Sequence, residues 1–188
     1  MARQNVEPVR QRLWAHERSS RTLDQRLYLR FPRLGALGAR LFAQLPPRSR
    51  LRQAALLRAT RLSLEAYNRR DLKAVVVGWD PEFEYIPDRQ WVDAGLVEPS
   101  YHGLAGYRRF IATADEVWGE ENELHPIEVI DFGDRLLVRA DVTMRAQVSG
   151  VPLTQPWGAL CTLRNGMVIR LEEHFDHARA LAAVGLSG

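Results

Sequence analysis

With 188 residues, 46% of them hydrophobic and 26% charged, the chain is large enough for one domain with an appendage, and its composition excludes a disordered polymer. No apolar run approaches the ~20 residues that span a bilayer, and the single cysteine, Cys161, excludes an intrachain disulfide and a cysteine-based metal cluster. The net charge of +3 is unevenly spread: residues 1–50 hold eleven arginines against Glu7, Glu17 and Asp24, a surplus of eight, which leaves −5 for the rest.

Residues 1–50 read as an arginine-rich helical extension and residues 51–188 as the domain. Val6, Val9, Leu13, Leu23 and Leu27 predict a helix over residues 6–30, ended at Phe31-Pro32, because a residue before proline leaves the helical region. Leu34, Leu37, Leu41, Phe42 and Leu45 predict a second helix that stops at Pro46-Pro47. Such amphipathic segments can lie on a membrane surface, but packing on the domain or at a dimer interface is the commoner outcome. The extension carries no zinc spacing, glycine-aromatic strand motif or helix-turn-helix pattern, so no nucleic-acid partner is expected. The first residues, MARQNVEPVRQRLW, lack the apolar core of a secretory signal, and a cytoplasmic location is expected.

Ser49 is placed to cap a long helix over residues 50–68, with Leu51, Ala55, Leu62 and Ala66 on its buried side and Asn68 suited to a left-handed end. Asp71 caps a short helix through Val77, and Asp80-Pro81 turns the chain into a strand over residues 82–86. Residues 87–101, with Trp91 and Tyr101, lack periodicity and read as a lid or rim. A helix over residues 104–118 precedes four strands, 124–132, 135–148, 155–163 and 167–176. Gly133-Asp134, Ser149-Gly150 and Asn165-Gly166 separate them, which implies successive hairpins and an antiparallel sheet. Residues 178–184 read as a closing helix ended by Gly185. Helices followed by long curled strands form an α+β pattern in which a sheet wraps around helices and leaves a pocket between them.

The fragments AYNRRD (66–71), DPEFEY (80–85), YHGLAGYRRF (101–110) and the ending LRNGMVIRLEEHFDHARALAAVGL resemble the SnoaL-like branch of the nuclear transport factor 2-like (NTF2-like) superfamily. The resemblance covers about residues 58–184 and leaves the extension unexplained. It implies a cone-shaped α+β barrel with a deep pocket, commonly a homodimer. It also implies a small-molecule ligand and a role among polyketide cyclisation, ketosteroid isomerisation, epoxide hydrolysis, dehydration and plain binding.

The last strand carries the sharpest candidate. Ile169, Leu171, Glu173 and Phe175 share one face, and a carboxylate in that apolar row must be paired, protonated or turned to a cavity. Arg139 and Asp141 share a face of their own strand, opposite the apolar Leu136, Val138, Ala140 and Val142. That face is either a solvated salt-bridging surface or part of a site with Glu173. The order Arg139, Asp141, Glu173 resembles limonene epoxide hydrolase. The likeness implies Glu173 as general base, Asp141 as general acid and Arg139 as the bridge between them. Phe83, Tyr85, Trp91, Tyr101, Trp157 and Leu171 are the expected pocket lining, and no metal or cofactor is expected. Two functions remain open: binding a small apolar or polycyclic molecule, with or without acid-base catalysis, and a non-catalytic interaction protein with a filled pocket and a partner-docking basic arm.

Overall fold

The computed structural model describes residues 7–13, 20–145 and 151–186. Its frame is a seven-stranded curled sheet of β1 (Val9–Arg12), β2 (Trp79–Ile86), β3 (Tyr101–His102), β4 (Glu123–Asp131), β5 (Arg135–Arg145), β6 (Pro152–Arg164) and β7 (Met167–His174). The spatial order is β1-β4-β5-β6-β7-β2-β3. Helices α1 (Leu23–Arg30), α2 (Pro32–Ala43), α3 (Arg50–Asn68), α4 (Leu72–Val75), α5 (Arg89–Asp93), α6 (Gly103–Trp118) and α7 (His177–Ala182) complete the α+β, NTF2-like architecture.

Every pairing is antiparallel except β2 with β7, which is parallel. The hairpin rule that predicts an antiparallel sheet holds for β4 to β7. It has no bearing on β2, which reaches β7 across most of the chain. The expected helix over residues 6–30 is also different. Residues 9–12 form an edge strand, Val9 opposite Asp131 and Arg12 opposite Glu128, and their alternating exposure is that of a half-buried strand. Residues 1–6 and 14–19 lie outside the described part, as does the predicted turn Ser149-Gly150. The true helix start is Thr22, whose hydroxyl accepts from Gln25 N while the Gln25 side chain accepts from Thr22 N, a capping box written in TLDQ.

On α3 the buried side is not wholly the expected one: Leu62 and Ala66 are buried, but Leu51 is exposed and Arg52 is buried in its place. Asn68 is the last helical residue, and the left-handed position falls at Arg70. The Asn68 amide instead accepts from Leu124 N at 2.8 Å and donates to Leu124 O at 2.9 Å, acting as a strand partner for β4. The rim segment 87–101 contains α5 and meets β3 at its end.

The inner sheet face and helices α3 and α6 enclose the main core, with Val138, Val142, Ala159, Leu171, Tyr107 and Phe110 among its members. A smaller core on the outer face joins Ile130 and Leu137 to Ala180 and Leu181 of α7. The β6–β7 turn, Asn165-Gly166, has positive φ at both residues, as a tight right-twisting hairpin requires. A Cβ on Gly166 would stand 2.2 Å from the Ala39 carbonyl oxygen, so α2 rests directly on this turn. Gly166→Ala should therefore lose about 2 kcal/mol in urea unfolding, from left-handed strain plus displacement of α2. Gly95→Ala, also at positive φ but facing open space, should lose about half as much.

Candidate active site

β5, β6 and β7 place their side chains in rows across the sheet. Glu173 stands opposite Ala159, which stands opposite Val138; the next row is Leu171, Cys161 and Leu136. These residues face inward. The expected alternation fails only before them, because a register shift near Thr162–Leu163 turns Val168 into the core and leaves Ile169 outside it. Glu173 therefore projects into the domain interior, 7% exposed, from the middle of an apolar surface.

A cavity of about 1200 Å³ lies against this surface and continues beneath the α1–α2 arm. Phe83, Tyr85, Trp91, Trp157, Leu171 and Glu173 line it. Tyr101 does not. It is buried under α6, where its backbone and Cβ lie against Gly106, its ring meets Phe110 edge-on at 5.5 Å, and its hydroxyl accepts from Glu98 N at 2.9 Å. Trp91 stacks on Phe175 at 4.9 Å and on Trp118 at 5.7 Å, forming an aromatic wall at one end.

Trp157 Nε1 donates to Glu173 Oε1 at 2.5 Å, whereas no hydrogen bond of regular geometry reaches Glu173 Oε2 among the described residues. Burial raises the Glu173 pKa to about 7; Trp157 and the nearby Tyr85 hydroxyl pull it back down, while the Asp88 charge pushes it up and the Asp88 backbone N–H pulls it down. The carboxyl is thus poised between acid and base near neutrality. Burial drives the hydroxyls of Tyr67, Tyr85 and Tyr107 well above the ordinary phenol range, and the charge of Glu173 adds to each shift. All three line the same cavity. They stay protonated, so each keeps an O–H group in a low-dielectric space.

Asp88 sets the frame behind Glu173. It is fully buried, accepts from Phe175 N at 2.7 Å and Gln90 N at 2.8 Å, and lies 3.4 Å from the Arg179 guanidinium. The strand end is thereby tied to α5 and α7.

The structure does not bring Arg139 and Asp141 to Glu173. Alternation sends both to the outer face, since Ala140 between them is fully buried. Arg139 donates to Glu128 at 2.5 Å, and Asp141 is half exposed, 3.8 Å from His177. The three-residue hydrolytic arrangement is therefore not assembled, and only Glu173 of the three is inside. His174 also faces away from Glu173, and Asp176 is spent capping α7 through Ala178 N and Arg179 N. Among the described residues no group of three or more His, Cys, Asp or Glu side chains could hold a metal ion. Tyr67 and Tyr107 are absent from the expected lining. Their signal is helical phase: Tyr107 shares an apolar stripe with Phe110, Ile111 and Ala114, and Tyr67 follows Leu64 by three positions.

A curled α+β sheet closed over a cavity by helices defines the NTF2-like class. Residues 60–171 match the SnoaL-like domain, and the chain belongs to that family. Among solved structures, TerC co-crystallised with polyporic acid is 28% identical, with a TM-score of 0.57 over 64% of this chain and 90% of its own. An NTF2-like protein of unknown function from Burkholderia pseudomallei K96243 is 27% identical, with a TM-score of 0.57 over 69% of this chain and 96% of its own. A putative polyketide cyclase from Xanthomonas campestris pv. campestris shares the fold at 18% identity, with a TM-score of 0.52 over 71% of this chain and 98% of its own. No curated protein matches the sequence.

Proposed function

We propose that this SnoaL-like protein binds a small, largely apolar or polycyclic molecule and catalyses proton transfer on it, in the manner of a cyclase or isomerase, without a cofactor. The observation that carries this reading is Glu173: a buried carboxyl with a pKa near 7, one oxygen held by Trp157 and the other without a regular partner, beside an apolar cavity. In this role Glu173 takes a proton from a C–H or O–H group, and the phenols of Tyr67, Tyr85 and Tyr107 donate to the oxygen on which negative charge develops. Trp157 keeps the carboxylate oriented. The aromatic wall of Trp91 and Phe175 suits a flat apolar partner. Co-crystallisation of the 28% identical TerC with polyporic acid supports a small-molecule occupant for this cavity. The size of the cavity weighs against the alternative of a filled, non-catalytic pocket.

The test uses polyporic acid and a panel of polycyclic phenols and ketones as probes. Binding is read from quenching of tryptophan fluorescence, and proton exchange or ring closure from mass change or isomer analysis. A bound panel member should be turned over by the native protein, and Glu173→Gln should lower kcat at least about 100-fold while leaving probe binding within a few fold. Unchanged turnover in Glu173→Gln removes the catalytic role; failure of the whole panel to bind removes the ligand class.

A further inference from the structure

The arm formed by α1 and α2 lies outside the residues that match the family, and the catalytic reading makes no use of its outer surface. It is fixed from below. Gln25, 2% exposed, donates to Leu62 O at 3.0 Å and accepts from Arg69 at 2.9 Å; Arg58 holds Asp24 at 2.7 Å; and the β6–β7 turn supports Ala39. With its inner face committed, the arm turns a leucine stripe outward. Leu23 and Leu27 are four apart on α1, and Leu34, Leu37 and Leu41 follow at three and seven on α2, with exposures from 54% to 83%. Phe31, 47% exposed, joins the two runs at the corner.

Arginines run beside the leucines. Arg26 and Arg30 lie on α1, and Arg33 and Arg40 on α2 at the edge between the leucine stripe and the cavity, and all four are exposed. No carboxylate among the described residues pairs with any of them, and the one acid of these helices, Asp24, is already engaged by Arg58. One continuous face thus offers apolar side chains and unneutralised guanidinium groups together.

We propose that this face docks on an anionic membrane surface, with the leucines entering the headgroup boundary and the arginines pairing with lipid phosphates. Charge complementarity selects that occupant. A surface helix of interleaved leucine and arginine satisfies both components at once on an anionic bilayer. Face-to-face pairing with a second copy would oppose eight guanidinium groups, and Asp24, the one acid of these two helices, is already held by Arg58. No helix among the described residues is long and apolar enough to cross a membrane, so the contact is peripheral. The proposal stands independently of the catalytic reading.

The test is flotation of the full chain with vesicles of phosphatidylcholine alone or with phosphatidylglycerol, at low and high salt. The native protein should float with the anionic vesicles, release as salt rises, and ignore pure phosphatidylcholine. Leu34→Asp with Leu37→Asp should weaken binding at least about tenfold, and each of Arg26→Gln, Arg30→Gln, Arg33→Gln and Arg40→Gln roughly fivefold. Thermal unfolding should be unchanged in all of them, since the substituted side chains face solvent. Should the aspartate pair unfold the arm, the arginine series decides alone. Equal flotation of variants and native protein, equal binding to neutral vesicles, or no vesicle binding overturns the proposal. So does a dimer in light scattering that the aspartate pair converts to monomer without any vesicle binding; that outcome assigns the face to a second copy.

Discussion

Replacing Arg52 with alanine should cost about 3–5 kcal/mol of stability and lower Tm by roughly 10 °C, the largest loss expected from any single polar side chain here. Its guanidinium and Asp131 are 4% and 2% exposed and meet as a two-pronged pair, Nε to Oδ2 at 2.7 Å and Nη2 to Oδ1 at 2.9 Å. The remaining donors go to backbone carbonyls: Nη2 to Gly133 at 2.6 Å, and Nη1 to Ala43 at 3.0 Å and Leu45 at 3.2 Å. One side chain thus joins the start of α3, the end of α2 and the end of β4. Truncation leaves Asp131 buried without its cation and three carbonyls without a donor, and that desolvation cost makes the loss large. Arg52→Met with Asp131→Leu removes both charges and should lose less than Arg52→Ala alone. Urea unfolding of the three proteins checks this. A loss under about 1 kcal/mol for Arg52→Ala would show that water reaches the pair.

Arg52 also shows where sequence reading stops. Leucines at 51 and 62 set the expected phase of α3, and nothing local announces that the first turn is rotated to bury an arginine against a carboxylate 79 residues away. The same limit hides β1, because a four-residue edge strand exists only through its partner β4. It hides the β2–β7 pairing for the same reason. What depends on neighbouring residues was legible: the Asn165-Gly166 turn, the Asp71 cap and the alternation of β5. That alternation already set Arg139 and Asp141 opposite the apolar row, and the structure keeps them there. Glu173 was legible as the one charge in an apolar row. Tyr85 was legible beside it as a strand residue facing the pocket, but Tyr67 and Tyr107 were not, because a phenol on an amphipathic helix reads as core until the cavity beside it is seen.

Glu173→Gln should stabilise the fold at alkaline pH while lowering kcat at least about 100-fold. Burial raises the carboxyl from its ordinary 4.5 to about 7. A carboxyl with a raised folded pKa costs nothing below its unfolded value; its burden grows as pH rises through the interval and is complete above pH 7. At pH 8.5 the burden is about 3 kcal/mol, an upper figure for a group able to draw in water. Glutamine keeps the shape, leaves an oxygen for Trp157 Nε1, and carries no charge. The variant should therefore melt about 5–10 °C above the native protein at pH 8.5, with the gap closing toward pH 4.5. Chemical unfolding at several pH values gives the same curve in free energy. A variant less stable than native at pH 8.5 would mean that its surroundings hold Glu173 as a structural anion, and the proton-transfer reading would lose its base. A more stable variant with that loss of turnover means that the fold carries this carboxyl at a cost to its own stability, which is the expected signature of a group retained for chemistry.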